Sequence, residues 1–412
     1  MDVLQQILNN AMASVPRLTL EKLIVKKLRA QRARFAKKLP RNLAEHILSG
    51  RKEPFRHWGR TEPKNLSLAF DETDADEVTR AVEHFLNVQL PTLVDDFAER
   101  IAKDFLKDLK GRWPEEQRLQ QGDLSGFRNR MEETWGTPLA KLRMLLTIAR
   151  EWCGEAHQEA DQATPRKRAR LKRLMVRLLV RSCQVTDEII CLLENGFADG
   201  AMARWRTLHE IGVVAAVIAK YGEEIVERYM AHQAVESRRA MRKYIDCHKE
   251  LGYRSLDART AKRIERKYRA AVTQHGVSFK VDYGWAAHHL KNKRPTFADL
   301  ESDVGYGQMR AHYQMGNDNV HAGVKSMYVR LGLLTDYDSL LAGRSNAGLT
   351  DPAQNTAHTL TQISVLVCLS PKLDDVVAAN IMQELREEIP DSFWKADRRL
   401  RRKHKAFEKS QP

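Results

Sequence analysis

Residues 181–248, RSCQVTDEIICLLENGFADGAMARWRTLHEIGVVAAVIAKYGEEIVERYMAHQAVESRRAMRKYIDCH, constrain the fold more than any other stretch. Their apolar residues recur at helical spacing, and Asn195-Gly196 and Gly222 divide them into two and a half amphipathic helices. Near the centre the apolar stripe is interrupted by Arg204, Arg206, His209 and Glu210. Polar groups on a buried face need partners or a task. Arg206 and Glu210 stand at i and i+4, so they share a helix face and pair as ions. Such a pair either fixes helix packing or serves a site, and both readings stay open at this point.

The rest of the chain follows the same period. Helices are expected over 3–13 and 18–38, the second carrying Leu20, Leu23, Ile24, Leu28 and Phe35 opposite a basic face, and over 43–48 after Pro40. A linker is expected from Gly50 to Asn65. Asp74, Asp76 and Glu77 lie in the first turn of a helix that Pro91 ends, and a second acidic helix covers 92–109 with Leu93, Val94, Phe97, Ile101 and Phe105 on its apolar side. The pattern of 127–159 is interrupted by Gly136 and Pro138. Further helices are expected over 166–194, 198–221, 223–251 and 257–274. Thr296 and Asp299 have capping-box spacing, and helices at 353–369 and 373–388 precede Pro390 and a basic C-terminal helix. Only Ser278 to Val281 reads as β, and no heptad run is long enough for a coiled coil.

The net charge of +15 is segregated. Residues 17–52 hold 12 Lys/Arg against Glu21 and Glu45, residues 166–181 hold 8 with no acid, and residues 395–412 hold 8 against Asp397 and Glu408. Clusters of this kind attract polyanions through counterion release. Lys26, Lys27, Arg32 and Arg34 in the first, and Arg166, Lys167, Arg168 and Arg170 in the second, are the candidate nucleic-acid contacts. An acidic protein partner is the competing occupant of the same charges. The longest apolar runs, Ile211 to Ala219 and Ile363 to Leu369, fall short of a membrane span, and no secretory signal is seen, so a cytoplasmic setting is expected. Five widely spaced cysteines with no C-x-x-C pair read as reduced core thiols.

Phosphate-loop, H-E-x-x-H and G-x-S-x-G motifs are absent, and adjacent His288-His289 on a helix diverge too far to chelate, so no metal or cofactor is expected. That pair is expected to be solvent-exposed or on a loop. His321 follows the turn-forming run Gly316-Asn317-Asp318-Asn319 and opens a helix, a setting for acid–base work near neutral pH or for a cap.

The segments RMEETWGTPLAKLRMLL, ENGFADGAMARWRTLHEIGVVAAVIA, and DYGWAA followed by HYQMGNDNVHAG occur in order, and on them residues 125–340 resemble the bacterial domain-of-unknown-function family 5677. The helical core of that family is similar to HEPN domains. The helical pattern and charge layout give an all-α helical bundle with a basic amphipathic segment at 1–60, an acidic helical layer at 61–165 and a basic C-terminal helix at 391–412, and the resemblance implies that the core at 166–390 is HEPN-like. It also implies dimerisation and a metal-independent endoribonuclease of a defence or stress system. The HEPN site is an arginine, a polar residue, three further residues and a histidine; Asn317 and His321 match the last two landmarks, while Gly316 stands where the arginine belongs. In that reading His321 moves the proton of the ribose 2′-hydroxyl, and Arg206 or Arg310, with Glu210 nearby, steadies charge on phosphate. The alternative is a non-catalytic module whose polar core residues hold the fold while the basic segments bind RNA, DNA or an acidic partner.

Overall fold

The computed structural model describes residues 2–56, 67–162, 166–321, 323–334 and 340–410, with the backbone alone for 2–8 and 166–169. The expected linker at 50–65 lies largely outside these ranges. Among the described residues every regular element is helical, so the chain is all-α, and none of its helices is long and apolar enough to cross a membrane. Ser278 to Val281 is not a strand: Val277–Lys280 forms a 3-10 turn ahead of Gly284.

The chain divides into two compact units, residues 1–120 and 121–412. In the first, α1 (Asp2–Ala30), α2 (Leu39–Leu48) and α3 (Glu72–His84) enclose a small core of Leu20, Ile24, Leu28 and Ala44. The two expected N-terminal helices are one, with Pro16 inside it. It stops earlier than expected, because Arg32 turns left-handed (φ 52°) and the Ala33 amide closes back on the Leu28 carbonyl at 3.1 Å. Asp71 and Asp74 form a reciprocal capping box at the start of α3. Pro91 does not end a helix: a π turn over Phe85–Gln89 leads straight into α4 (Leu90–Gln162), whose first turn tolerates a residue without an amide donor. Leu93, Ile101 and Phe105, expected to be packed, are exposed.

In the second unit, residues 121–162 of α4 pack with α5 (Arg166–Glu194), α6 (Ala198–Tyr221), α12 (Thr350–Cys368) and α13 (Leu373–Ser410) around the main core. The buried seam of α4 runs Trp135, Leu139, Leu142, Leu146, Ala149, Cys153, Ala156 and Ala160, alternating four- and three-residue steps. This is a heptad seam, against expectation. It also explains why Gly136 and Pro138 do not break the helix. A proline in a helix interior costs about 3 kcal/mol, whereas burying Trp135, Leu139 and Leu142 contributes roughly 2 kcal/mol each. Pro390 is carried inside α13 for the same reason, flanked by fully buried Ile389 and Phe393.

A second core forms where α6 meets α7 (Glu223–Cys247), α8 (Ala258–His275), α9 (Phe297–Asp303) and α10 (Arg310–Asp318). Gly196 (φ 74°) closes α5, Asp257 caps α8 by accepting from the Arg259 and Thr260 amides, and Thr296 and Asp299 form the expected capping box on α9. A five-residue α11 (Val324–Tyr328) follows α10. The cysteine expectation holds for Cys153, Cys183 and Cys368, which are buried, and fails for Cys191 and Cys247, which end helical turns on the exposed side.

Candidate functional site

Arg204, Arg206, His209 and Glu210 leave the α6 surface in three directions. The Arg204 guanidinium pairs with Glu188 of α5. His209 points into the second core, 2% exposed, with Nε2 2.9 Å from the Glu301 carboxylate of α9 and its ring stacked on Trp205 at 5.3 Å. Glu301 is 1% exposed and accepts a second hydrogen bond, 2.6 Å long, from Nη1 of Arg310 at the start of α10. A buried carboxylate is thus shared by a histidine and an arginine from two other helices. Burial pushes the His209 imidazole below its ordinary pKa, against the upward pull of Glu301. Because an ionised carboxylate can only accept, Nε2–H of His209 is the donor to Glu301.

Beside this triad, the Tyr313 hydroxyl donates to Glu210 Oε1 at 2.7 Å, and the Arg206 guanidinium lies 4.9 Å from the Tyr313 ring centroid. Arg206 Nε stands 3.1 Å from the same Glu210 oxygen, an ion pair whose angle leaves Nε without a hydrogen bond. The expected i, i+4 pair is present, as one edge of an Arg206–Glu210–Tyr313 triangle. Burial first, and the bond to Glu210 second, push the Tyr313 phenol well above its ordinary range. Gly316 gives the triangle room. A Cβ there would sit 3.3 Å from both Arg206 Cβ and the Met202 carbonyl, a tight contact that would push the two helices slightly apart, so glycine favours their close approach.

Gly316, Asn317 and Asp318 were expected in a turn before a helix opening at His321. They are the last turn of α10 instead, and the next helix begins at Val324. The Asn317 carbonyl accepts from the amides of Val320 and His321, each at 3.0 Å, while its own side-chain oxygen is buried without a hydrogen bond. His321 occupies the following bend and is exposed. The structure therefore brings Arg206, Glu210 and Arg310 together around Tyr313 and sets His321 outside their hydrogen-bonded network. Sequence reasoning missed Glu301 and Tyr313, the acceptor and the ring on which the cluster is built.

Of the basic candidates, Lys27 turns inward to an ion pair with Asp74 at 2.6 Å, whereas Lys26, Arg32, Arg34 and Arg170 are exposed. The side chains of Arg166, Lys167 and Arg168 lie outside the described residues. Further along α5, Lys172 and Arg173 are neutralised by Glu159 and Asp161 of α4 at 2.5 and 3.8 Å. The C-terminal part of α13 differs. Lys395, Arg398, Arg399, Arg401, Arg402 and Lys405 line one shallow, exposed depression. Only Arg401 of these has an ion-pair partner among the described residues, Asp397 at 2.6 Å.

His288 and His289 lie in a run of turns, the loop setting expected of them, and the buried histidines support one prediction. His288 is exposed, but the side chain of His289 is only 8% accessible, packed on Tyr221 at 4.7 Å. Burial holds His209, His232, His275, His289 and His358 below the ordinary value of 6.5. Their unfolded forms take up protons as pH falls through about 6.5, before the folded forms do, so stability is present above that pH and declines below it. The midpoint of thermal unfolding is therefore expected to change little from pH 7.5 to about 6.5 and to fall from there to pH 5; a flat profile below about pH 6.5 would contradict the assignment.

These features define an all-helical protein with two linked polar clusters between α6, α9 and α10, one buried on His209 and Glu301 and one half-buried on Arg206 and Glu210, and with an uncompensated basic end on α13. Residues 172–338, which contain both clusters, match the family of unknown function DUF5677. No curated protein and no solved structure matches the chain.

Proposed function

We propose that the chain is a non-catalytic nucleic-acid-binding protein, with RNA as its ligand, in which the α6–α9–α10 clusters hold the fold and exposed basic helices grip phosphates. The observation that carries this reading is the end of α13, where Lys395, Arg398, Arg399, Arg402 and Lys405 are exposed with no ion-pair partner among the described residues. Unpaired like charges this dense repel one another, and a polyanion relieves the repulsion while releasing its counterions. The non-catalytic part is supported by the commitments of the two arginines proposed to steady a phosphate. Arg310 holds buried Glu301, and Arg206 holds Glu210 and the Tyr313 ring.

Both parts are testable with the full chain. Five engaged cations correspond to a log–log salt slope of roughly −4, so RNA affinity is expected to fall on the order of 100-fold between 50 and 200 mM KCl. Arg398→Glu/Arg399→Glu/Arg402→Glu should weaken it by a further tenfold or more, on the order expected for three lost phosphate contacts. Salt-independent binding, or tighter binding to an acidic polypeptide than to RNA, would overturn the ligand assignment. Cleavage of RNA in EDTA by the wild type that disappears in His321→Ala would restore the catalytic reading.

A further inference from the structure

The connection between α7 and α8 carries a built feature that nothing above uses. Tyr244 and His248 stand one turn apart on α7 with rings 5.8 Å apart and 15° from parallel. Tyr253, arriving from the connection, lies 6.4 Å from Tyr244 on an almost parallel plane, 12° away. Three near-parallel rings thus gather around Tyr244 at the tip of a helical hairpin, with Tyr253 59% and Tyr244 37% exposed.

The arrangement is held in place. Gly252 (φ 68°) reverses the chain, the Tyr253 amide returns to the His248 carbonyl at 2.8 Å, and the Tyr244 hydroxyl donates to the Arg254 carbonyl at 2.7 Å. Both neighbours of the Tyr253 ring are therefore fixed to α7, and little ordering is left to a ligand.

Charge surrounds the rings. Residues 242–275 hold 10 Lys/Arg against Asp246, Glu250, Asp257 and Glu265. Asp257 is occupied in capping α8, and Glu265 is paired with Arg238 and Arg269. Arg259, Lys262, Arg263 and Arg266 fall at i, i+3, i+4 and i+7, all exposed on the face of α8 opposite buried Ala271 and half-buried Ile264 and Tyr268, and none has an ion-pair partner among the described residues. Seven residues of helix place these four cations along about 10 Å.

We infer that the α7–α8 tip binds a single-stranded nucleic acid, its bases stacking on Tyr253 and Tyr244 and its phosphates following Arg259, Lys262, Arg263 and Arg266. The inference rests on the nucleic-acid reading above and sharpens it to an unpaired strand. A duplex keeps its base faces inside its own stack and offers these rings nothing, whereas every unpaired base presents a face. An acidic protein would meet the cations and leave the parallel rings unexplained.

The test compares a 12-nucleotide unstructured RNA with the same sequence annealed to its complement, at fixed salt, on the full chain. Tyr253 is exposed and its ring supports no core, so Tyr253→Ala is expected to fold as the wild type does, checked by circular dichroism. It should weaken single-strand binding about tenfold and leave duplex binding unchanged, while Tyr253→Phe retains the wild-type value. Arg259→Gln/Lys262→Gln/Arg263→Gln should make the single-strand salt slope shallower by about 2. Single-strand binding by the wild type that is indifferent to Tyr253→Ala overturns this site alone. A wild type that binds neither RNA overturns the broader reading with it.

Discussion

Glu301→Ala is expected to lower the unfolding free energy of the second unit by about 2–4 kcal/mol. The carboxylate is 1% exposed and accepts from His209 and Arg310 at 2.9 and 2.6 Å. Its removal strands the buried Nε2–H of His209, a loss that water cannot make good. Arg310, with a side chain 40% exposed, is partly resolvated, so its share of the loss is screened and the total stays below that of a fully buried pair. Glu301→Gln keeps an acceptor for one donor and should cost about 1–2 kcal/mol. Urea denaturation followed by circular dichroism measures both. Equal losses for the two variants, or a loss below about 1 kcal/mol for alanine, would show that the cluster does not hold α9 and α10 to α6.

Trp135→Ala should cost about 3–5 kcal/mol in the same assay. The indole is fully buried, packs on Phe393 of α13 at 5.7 Å, and donates Nε1–H to the Asn346 side chain at 2.7 Å. Trp135→Phe retains most of the volume and loses the hydrogen bond, for about 2 kcal/mol. The substitution also tests the account of the unbroken α4, because Trp135 is one of the residues whose burial outweighs Pro138. A loss under about 1 kcal/mol would leave that helix without its explanation.

Local signals were legible where local chemistry decides. Asn195-Gly196, Gly222 and Asp257 ended or opened helices where they were expected to, and the Thr296–Asp299 spacing marked α9. Proline was misread at positions 138 and 390 because breaking is a local tendency that burial of neighbouring side chains overrides. The heptad seam of α4 escaped notice since three of its eight positions are alanine and one is cysteine, small residues that carry little hydrophobic signal yet permit close helix packing.

The candidate site was half legible. Arg206 and Glu210 are four residues apart and declare themselves, but Glu301 and Tyr313 reach α6 across 92 and 103 residues of chain. Nothing in the short helix FADLE distinguishes an acid that faces solvent from one that faces His209. A hint existed in the isolated His209 on an apolar face, since a buried imidazole demands a partner somewhere. The Tyr244–His248–Tyr253 tip was similarly hidden, because its third ring comes from a loop and only the reversal at Gly252 brings it alongside.

The shared carboxylate also bears on how the second unit comes apart. With seven and nine residues, α9 and α10 are too short to persist as helices alone. Glu301 joins both to α6 through one side chain: opening α9 strands the buried His209 donor on α6, and opening α10 leaves the buried carboxylate with one donor fewer. The three helices form a single cooperative unit, and their slowest amides belong to the same opening event.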